Sequence, residues 1–464
     1  MTGAAASLLE GGRTLHKVSL LNKSEKNITK EDQMAWSNTV VLIIDEISFM
    51  TSADLNLLNK KLQRLRNNSI VFGGIQIIFV GDFHQLHPIG SAVPLYDSNN
   101  VYFQKINRVV FLNRPLRFSD DKDFGDAMRK LRNGKFGKDA VMYINSRLIN
   151  KAGVEMPAFD DMRFACYTNK ERNAVTSHMF LQHLSKTHTQ SNDLNTTCPD
   201  HTCIIKGCMK YNRNSEDMVP ISLQNMIYDT VGDADMFNGE QKRVDPAIKF
   251  YYNKPFMMNS NNRIEEKLAN GTPCRGLYLK LRHGQSFKKE IWEGYVINTI
   301  YADQIEYMIC ARERKKDTDP FEYFKIEPEE KSVKITFPTL GNYKVKGIHM
   351  TQFGINDNIA TTVHKLQGVS LDNLIIHSWN YAIKNWVYVV LSRVKTLKGL
   401  VLCKPLDKNG DYSCDQKLLD WENNLRIEKE KKLFELRGEL EQYEEEERKF
   451  GQFIYSHDWY KYKM

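Results

Sequence analysis

The stretch VVLIIDEISFM, residues 40–50, runs from a series of aliphatic side chains directly into two adjacent carboxylates. The aliphatic part is mostly β-branched and predicts a buried strand. Asp45 and Glu46 then stand at the end of that strand. Because ionised carboxylates are costly away from water without a cation or hydrogen-bond donors, the pair predicts a ligand site. The alternative is that both acids only cap the helix that follows, where acidic residues are common.

A second strand is predicted shortly after the first. The run IQIIFV, residues 75–80, is apolar and leads into GDFHQLHP. Between the two runs, Thr51 and Asp54 form a capping box, and leucines at helical spacing predict a helix. Strand, helix and strand make a βαβ unit with parallel strands, whose carboxyl ends share one edge of the sheet. We therefore expect the following polar residues on one rim of one sheet: Asp45, Glu46, Asp82 and Gln85.

This rim suits the chemistry of nucleoside triphosphates. A carboxylate at a strand end, here Asp45, can hold Mg²⁺ between the β- and γ-phosphates. The next carboxylate, Glu46, can polarise an attacking water. The amide of Gln85, on the neighbouring strand end, can contact the γ-phosphate. Together with the GDFHQLHP segment, the acid pair indicates a triphosphate site more strongly than a helix cap.

Both strand ends also carry a family resemblance. IIDEIS and FVGDFHQLHP resemble the second and third motifs of the petite-integration-frequency (Pif) family of ATP-dependent DNA helicases, in the RecD-like branch of helicase superfamily one. The opening TGAAASLLEGGRTLH, residues 2–16, is similar to motif Ia, which lines the single-strand track. Residues 111–134 resemble motif IV, residues 360–376 motif V and residues 386–402 motif VI. The blocks follow the family's order, which indicates membership of that family.

The resemblance implies an α/β fold with two RecA-like domains of the P-loop NTPase type, in which helices flank parallel sheets. The first domain is expected over residues 1–118, and the second over residues 119–271 and 346–405. A small β-barrel of Src-homology type is expected as an insertion over residues 272–345. A charged helical tail, residues 406–464, is expected to pack on its own protein.

The resemblance also implies two arginines at the γ-phosphate. Arg117 belongs to the motif IV block, and Arg393 is expected to act as an arginine finger from the second domain. From the residues alone, Arg393 follows an apolar run in the context LSRV, where a helix start could aim it into a cleft. A surface salt bridge, usually of little energetic value, is the alternative for that side chain.

Three sets of site residues follow from the resemblance. The implied catalytic residues are Asp45, Glu46, Gln85, Arg117 and Arg393, with Asp45 as the metal ligand. The implied nucleotide contacts are Asp45, Asp82, Gln85, Arg117, Gln367, Gly368 and Arg393. The implied DNA contacts are Thr2, Gly3, His16, His87, His364 and Lys365. The implied cofactors are ATP and Mg²⁺.

As a function, the resemblance implies an ATP-dependent DNA helicase that moves 5′ to 3′ on single-stranded DNA. Its expected roles are telomere maintenance, DNA recombination and DNA repair. The expected partners are single-stranded DNA and forked or structured DNA, and the protein is expected to be a monomer.

The P-loop motif G-x-x-x-x-G-K-[ST], which cradles phosphates on backbone N–H groups, is missing from the sequence. GKF at residues 134–136 and GKD at residues 137–139 both lack the final hydroxyl residue. In the family this loop precedes motif Ia, which is where this sequence begins. Two explanations stay open. Either the sequence is N-terminally truncated, or the protein binds single-stranded DNA but hydrolyses ATP poorly.

Composition sets broader limits. A chain of 464 residues and 54.0 kDa is too long for one core, so two or three domains are expected. Its net charge of +8 favours polyanionic partners. The cysteines form no dense framework, which indicates a reducing compartment. The N-terminus is unlike a signal peptide and charges interrupt every apolar run, so we expect a soluble intracellular protein without a membrane partner. The resemblance implies the nucleus or the mitochondrion.

Three further features carry weaker expectations. Cys198, His201, Cys203 and Cys208 are too widely spaced for a zinc site, so free thiols are the preferred interpretation. Residues 186–245 are expected to form loops and helices around the second domain. Candidates for stacking on DNA bases are Phe83, His84, His87 and Trp379, although each is also consistent with a core or surface role.

Overall fold

The computed structural model describes most of the chain between residues 27 and 437. The described residues are 15, 19, 21, 27–88, 93–112, 115–197, 202–211, 218–229, 235–238, 244–259, 268, 270–312, 322–337, 341 and 343–437. Thr2, Gly3 and His16 lie outside these ranges, as do Cys198 and His201. The expectations for those five residues stay predictions.

Helices and strands alternate in the first part of the chain, and strands dominate its middle. The helices are α1 (Lys30–Trp36), α2 (Ser52–Leu65), α3 (Lys122–Arg132), α4 (Lys138–Asn145), α5 (Asn169–Thr187), α6 (Ile221–Asp229), α7 (Val363–Leu366), α8 (Trp386–Leu391) and α9 (Gln416–Arg437). The first strands are β1 (Val41–Ile44), β2 (Gln76–Phe79), β3 (Phe164–Cys166), β4 (Cys203–Lys206), β5 (Cys208–Lys210), β6 (Asp235–Asn238), β7 (Ala247–Phe250), β8 (Lys254–Met258) and β9 (Pro273–Leu281). The remaining strands are β10 (Lys288–Trp292), β11 (Tyr295–Tyr301), β12 (Ile305–Arg312), β13 (Tyr323–Ile326), β14 (Pro328–Phe337), β15 (Tyr343–Phe353), β16 (Ile355–Asp357), β17 (Ala360–Thr362), β18 (Leu374–Ile376) and β19 (Leu400–Leu402).

The predicted βαβ unit of the first domain is confirmed. Strands β1 and β2 pair in parallel, with Val41 opposite Gln76 and Ile44 opposite Phe79. Helix α2 connects them and begins with the predicted capping box of Thr51 and Asp54. Its apolar face is fully buried, which anchors the helix on the sheet; this face comprises Leu55, Leu58, Leu62 and Leu65.

Strand β1 was predicted to be buried, and this is correct for only one of its faces. Leu42 and Ile44 pack into the core of the first domain, whereas Val41 and Ile43 are 40% and 62% exposed. Ile78 on β2 is exposed to the same degree as Val41. Parallel sheets are usually covered on both faces. Within the part of the chain that the structure describes, the elements around this sheet cover one face.

A second parallel sheet forms the other RecA-like unit. Its strand order is β17, β3, β18, β19, and every neighbouring pair is parallel. Helices α3, α4, α7 and α8 contribute to the core on one side of this sheet, where Trp386 is fully buried. Helix α5 packs on the other side through Met179 and Phe180. The expectation of an α/β fold with two RecA-like domains is confirmed.

The inserted β structure extends beyond the predicted residues 272–345. Strand β4 pairs in parallel with β11, β5 pairs with β15, and β8 pairs with both β9 and β16. Segments before and after the predicted boundaries therefore share sheets with the insertion. The expectation of loops and helices over 186–245 is incomplete, because β4, β5 and β6 also lie in this segment. We propose that the inserted β region runs from Cys203 to Asp357.

The tail packs on the first domain through the start of helix α9, as predicted. Leu418 is 1% exposed and belongs to the same core as helix α2. Trp421 stacks on Phe103, with ring centroids 5.8 Å apart, and meets Phe83 edge-on at 5.4 Å. None of the helices in the described ranges combines the length and apolarity needed to cross a bilayer.

Candidate active site

The two carboxylates stand at the end of β1 as predicted. The Asp45 Oδ1 atom accepts a hydrogen bond of 2.8 Å from the backbone N–H of Glu46. Glu46 has a φ of 55°, a left-handed conformation that is uncommon for a non-glycine residue and often marks a functional site. Its side chain makes no capping hydrogen bond to the short helix that follows, and Thr51 caps helix α2. The helix-cap alternative for the acid pair is therefore wrong.

The end of β2 lies directly against the end of β1. The backbone N–H of Ile47 donates to the carbonyl of Val80 at 3.0 Å. Gly81 has a φ of 154°, and a Cβ atom there would lie 2.9 Å from the backbone nitrogen of Ile47. Only glycine allows this approach. Asp82 follows at once, so the two acidic strand ends share one rim as expected.

Glu46 is one of the points at which the second domain contacts the first. Gln367 donates from Nε2 to the Glu46 Oε2 atom at 3.2 Å and to the Ser48 Oγ atom at 3.3 Å. At Gly368, φ is 78° and an added Cβ would lie 3.3 Å from Glu46 Oε1. The motif V residues thus contact the candidate general base directly. This agrees with their predicted position at an interdomain cleft.

Two guanidinium groups approach the same rim. Arg117 donates from Nη1 to the carbonyl of Ser392 at 2.7 Å. Burial lowers its pKa, and the nearby charges of Tyr388 and Glu46 partly offset that effect. Arg393 is 1% exposed, and burial together with the charge of Arg117 lowers its pKa to about 10. Two like charges are therefore held side by side at the cleft.

The partners of Arg393 are backbone carbonyls and a hydroxyl. Its guanidinium donates to the carbonyls of Val389 at 2.7 Å and Leu366 at 3.3 Å, and to the Ser392 Oγ atom at 2.8 Å. The residue follows the end of helix α8, so the predicted helix start at this position is wrong. The alternative of a surface salt bridge is also wrong, because no carboxylate pairs with Arg393 among the described residues. A buried cation with only neutral partners favours an anion nearby.

The residues present fit a magnesium nucleotide. The Oε1 atoms of Gln85 and Gln367 are buried and have no hydrogen-bond partner among the described residues. Buried polar atoms are normally paired, so an orphaned acceptor indicates a place for a missing donor. Asp45 offers a hard oxygen ligand of the type that Mg²⁺ prefers. No group of three or more His, Cys, Asp or Glu side chains within the described ranges could hold a metal by itself.

Several contacts at this site could not be predicted from the sequence. Asn385 donates from Nδ2 to the carbonyl of Gln85 at 3.1 Å and to that of Phe83 at 3.4 Å. It therefore fastens the loop after β2 to helix α8 of the second domain. Arg132 pairs with Asp82 at 3.1 Å. Asn385 stands directly before helix α8 and has a φ of 64°.

Three of the predicted DNA-contact residues lie in the described part of the chain: His87, His364 and Lys365. His364 and Lys365 lie on helix α7, and burial lowers the pKa of His364. His87 is half-buried and meets the ring of Tyr96 at 5.8 Å. Their role in binding DNA stays a prediction.

Two of the stacking candidates cannot present a ring face to a base in this structure. Phe83 is 6% exposed, and its ring is enclosed by Tyr96, Phe103 and Trp421. His84 is 1% exposed. The stacking expectation is wrong for both. Of the cysteine group, Cys203 and Cys208 are both buried.

The sequence is similar to those of known helicases. The family model described as PIF1-like helicase matches residues 1–140. The ATP-dependent DNA helicase RRM3 of Saccharomyces cerevisiae is 33% identical over 159 residues, which make up 31% of this chain and 22% of RRM3. The match thus covers well under two thirds of that relative. Pif1 of Bdellovibrio bacteriovorus is 23% identical over 418 residues, which are 86% of this chain and 76% of the relative.

The fold of this chain is similar to that of Pif1 helicases with solved structures. The crystal structure of Pif1 helicase from Candida albicans aligns with a TM-score of 0.62 at 20% identity, over 92% of this chain and 87% of that chain. Pif1 helicase from Bacteroides, in complex with ADP-AlF3 and ssDNA, aligns with a TM-score of 0.60 at 19% identity, over 92% and 86% of the chains. At these identities, the alignments show a shared fold.

Proposed function

We propose that this chain belongs to the PIF1-like helicase family and forms the motor core of an ATP-dependent DNA helicase. The proposed activity couples hydrolysis of Mg²⁺–ATP to 5′-to-3′ movement on single-stranded DNA. The proposed substrates are single-stranded and forked or structured DNA, bound by a monomer. Telomere maintenance, DNA recombination and DNA repair, in the nucleus or the mitochondrion, are the roles that family membership supports.

One contact carries the proposal. The hydrogen bond from Gln367 to Glu46 joins the strand end of the first domain to motif V of the second, at 3.2 Å. A hydrolysis site between two domains allows the loss of a phosphate to change how the domains pack. The arginines at positions 117 and 393 lie at the same junction and lack carboxylate partners among the described residues. A phosphate between the domains would supply the missing negative charge.

The roles of the residues follow from their positions. Bound Mg²⁺–ATP would supply the transferable phosphoryl group and the cation that neutralises it. Asp45 would hold the cation, and Glu46 would accept a proton from the attacking water. Gln85 would orient that water with its orphaned Oε1 atom. Arg117 and Arg393 would stabilise the charge that develops on the phosphoryl oxygens.

A second candidate function belongs to a different class. The alternative is a non-hydrolysing DNA-binding module. The net charge of +8 supports it, because that charge favours polyanionic partners whether or not ATP is hydrolysed.

Purified as the 464-residue chain, the protein is expected to show little ATP hydrolysis, even with single-stranded DNA. The reason is the missing cradle and its lysine. Steady-state phosphate release, with and without an oligonucleotide, measures this directly. Robust turnover that is abolished in Glu46→Gln, but kept in Glu428→Gln on the exposed face of α9, would contradict the expectation. It would mean that another segment supplies the phosphate cradle.

Binding of single-stranded DNA is expected to survive and to weaken steeply with salt. Each phosphate contact releases counterions, so the logarithm of the binding constant should fall with that of the salt concentration by about 0.7 per contact. Lys365→Ala should reduce this slope by about 0.7, the share of one phosphate contact. Lys395→Ala removes an exposed partner of Asp372 and should leave the slope unchanged. Fluorescence anisotropy of a labelled oligonucleotide provides the measurement. Salt-independent affinity or a preference for duplex would contradict a single-strand track.

A further inference from the structure

A carboxylate of the tail helix reaches the loop that carries Gln85. The Glu422 Oε1 atom on α9 lies 3.1 Å from His84 Nε2 and 3.2 Å from Arg132 Nη2. Its side chain is 14% exposed, and that of His84 is 1% exposed. Three segments distant in sequence therefore meet at one carboxylate: the loop after β2, the end of α3 and the second turn of α9.

The hydrogen-bond partners of His84 require a charged ring. Its Nδ1 atom faces the backbone carbonyl of Arg132 at 2.9 Å, and its Nε2 atom faces the Glu422 carboxylate. Both partners are acceptors, so both ring nitrogens must donate, which only the imidazolium form can do. Cys414 Sγ lies 3.4 Å from Nδ1 as a further neighbour. The contact with Glu422 is therefore a buried ion pair.

The pKa of His84 agrees with this geometry. Burial lowers the pKa, but the hydrogen bonds with Cys414 and Glu422 raise it more, to about 9. The remaining charged neighbours act in opposite directions, since Asp82 raises the pKa and Arg132 lowers it. At neutral pH the ring is protonated and the contact with the tail helix is present.

A second connection links the tail to the same loop. Arg132 donates from one atom, Nη2, to both Asp82 Oδ1 and Glu422 Oε1. Asp82 Oδ1 also accepts from the backbone N–H of His84 at 3.1 Å. Asp82 and His84 both precede Gln85 in the loop. His84 contacts Glu422 directly, and Asp82 is connected to Glu422 through Arg132.

Gln85 lies between two residues that anchor the loop in different cores. Phe83 is buried in the core of the first domain, where Trp421 of the tail also packs. Leu86 is fully buried in the core of the second domain. The position of the Gln85 amide therefore depends on how the start of this loop is held, and the tail helix holds it.

We propose that Glu422 is a positioning residue, which fixes the loop of residues 82–86 and thereby places Gln85 at the cleft. The role of Gln85 toward a nucleotide rests on the function proposed above. The tail helix therefore has two roles. It covers apolar surface, and it sets the geometry of the loop of residues 82–86.

Hydrogen exchange in the full chain tests the proposal. Glu422→Gln keeps the size of the side chain and removes its charge. The amides of residues 83–86 are expected to exchange at least about tenfold faster in this variant, because charge-assisted hydrogen bonds are replaced by weaker ones. Amides of helix α2 serve as an internal reference and should not change. Glu428→Gln, the same substitution two turns along α9 at an exposed position, should leave the loop as in the parent.

His84→Gln provides a second variant from the other side of the contact. It should loosen the same amides, and the double variant should be no looser than Glu422→Gln alone, since that substitution already removes the contact of His84 with the carboxylate. Unchanged loop exchange in both single variants would overturn the proposal. Equal loosening of α2 and the loop would also overturn it, because that result means general destabilisation.

The pH dependence distinguishes positioning from packing alone. The pKa of His84 is raised in the folded chain, so the contact contributes fully at neutral pH and is lost as the pH rises through about 9. The exchange ratio between Glu422→Gln and the parent should therefore fall above that pH, toward the value set by the remaining contact of Glu422 with Arg132. A ratio that stays constant across pH 7 to 10 would overturn the role of the ion pair.

A nucleotide probe separates this proposal from the proposed function. The same exchange measurement is repeated in a chain to which a family P-loop segment has been joined, because this sequence contains no such motif. Mg²⁺ and a non-hydrolysable ATP analogue are added at millimolar concentration. If Glu422→Gln loosens the loop but the analogue protects no residue of the cleft in the parent, the positioning stands and the nucleotide function is contradicted. If the analogue protects the cleft while Glu422→Gln leaves the loop unchanged, the function stands and the positioning is overturned.

Discussion

Replacing Arg393 with alanine is expected to slow ATP hydrolysis by about 10³- to 10⁵-fold, in a chain to which a family P-loop segment has been joined. The joined segment is needed because this sequence contains no such motif. Arg393 is buried beside Arg117, and its described partners are neutral oxygens. In this setting the guanidinium is available to stabilise charge that develops on a transferring phosphoryl group. The measurement is steady-state turnover with saturating single-stranded DNA.

The affinity for ATP is expected to fall much less than turnover. Most ground-state affinity comes from the phosphate cradle and Mg²⁺, whereas the finger acts mainly in the transition state. Arg129→Ala is a matched control, because that side chain is half-exposed and forms an i,i+3 pair with Asp126 on α3. Turnover near the parental rate in both Arg393→Ala and Arg117→Ala would show that the cleft assignment is incorrect.

Loss of folding must be separated from loss of catalysis in the Arg393 variants. The side chain holds the carbonyls of Leu366 and Val389, so its removal also leaves buried acceptors without donors. Arg393→Lys retains the charge and removes the guanidinium geometry. If the lysine variant keeps the parental circular dichroism and ATP affinity while its turnover still falls, the effect is catalytic.

The parts of the site that the sequence predicted are those set by local pattern. Strand, helix and strand within a short segment determine a parallel pair, and parallel pairing places Asp45 and Asp82 on one edge. The capping box at Thr51 and the leucine face of α2 are equally local. These features depend on residues close in sequence, where spacing alone determines which side chains share a face.

The contacts that the sequence did not predict join distant segments. His84 and Glu422 are separated by 338 positions, and Gln367 and Glu46 by 321. Spacing carries no information on such pairs, because the fold of everything between them decides whether they meet. The pairing of β4 with β11 could not be predicted for the same reason. A strand that joins a sheet far along the chain has no partner signal nearby, so the sequence did not indicate which strands residues 186–245 would pair with.

The exposed face of β1 could not be predicted from the sequence for a different reason. An aliphatic run predicts burial on average, but burial depends on which elements cover each face. The alternation of Val41 and Ile43 with Leu42 and Ile44 is the ordinary two-residue period of a strand. Because all four side chains are apolar, the sequence could not indicate which face packs on α2. The structure was required for that assignment.

Replacing Lys254 with methionine is expected to destabilise the inserted β region by about 3 to 5 kcal/mol. Lys254 is fully buried at the start of β8, where its ammonium pairs with Asp357 on the adjacent strand β16 and donates to the carbonyl of Lys249 at 2.6 Å. The rings of Phe256 and Tyr251 lie 5.2 Å and 5.7 Å from the ammonium. Without the cation, the carboxylate of Asp357 would remain buried and would lose its ion-pair partner.

Hydrogen exchange of the amides in β8 and β16 measures this effect locally, which avoids assuming that a chain with several domains unfolds in one step. A loss of that size corresponds to exchange roughly two to four orders of magnitude faster. Lys395→Met is the matched control. Its ammonium lies 2.8 Å from Asp372, but the side chains are 48% and 82% exposed, and such pairs contribute about 1 kcal/mol or less.

Replacing Asp357 with asparagine in the Lys254→Met background should recover part of the loss, because the isolated charge is then removed while the hydrogen bond from Ile359 can persist. If Lys254→Met were no more costly than Lys395→Met, the buried pair would not be holding β8 and β16 together, and the apolar packing of the sheet alone would account for its stability.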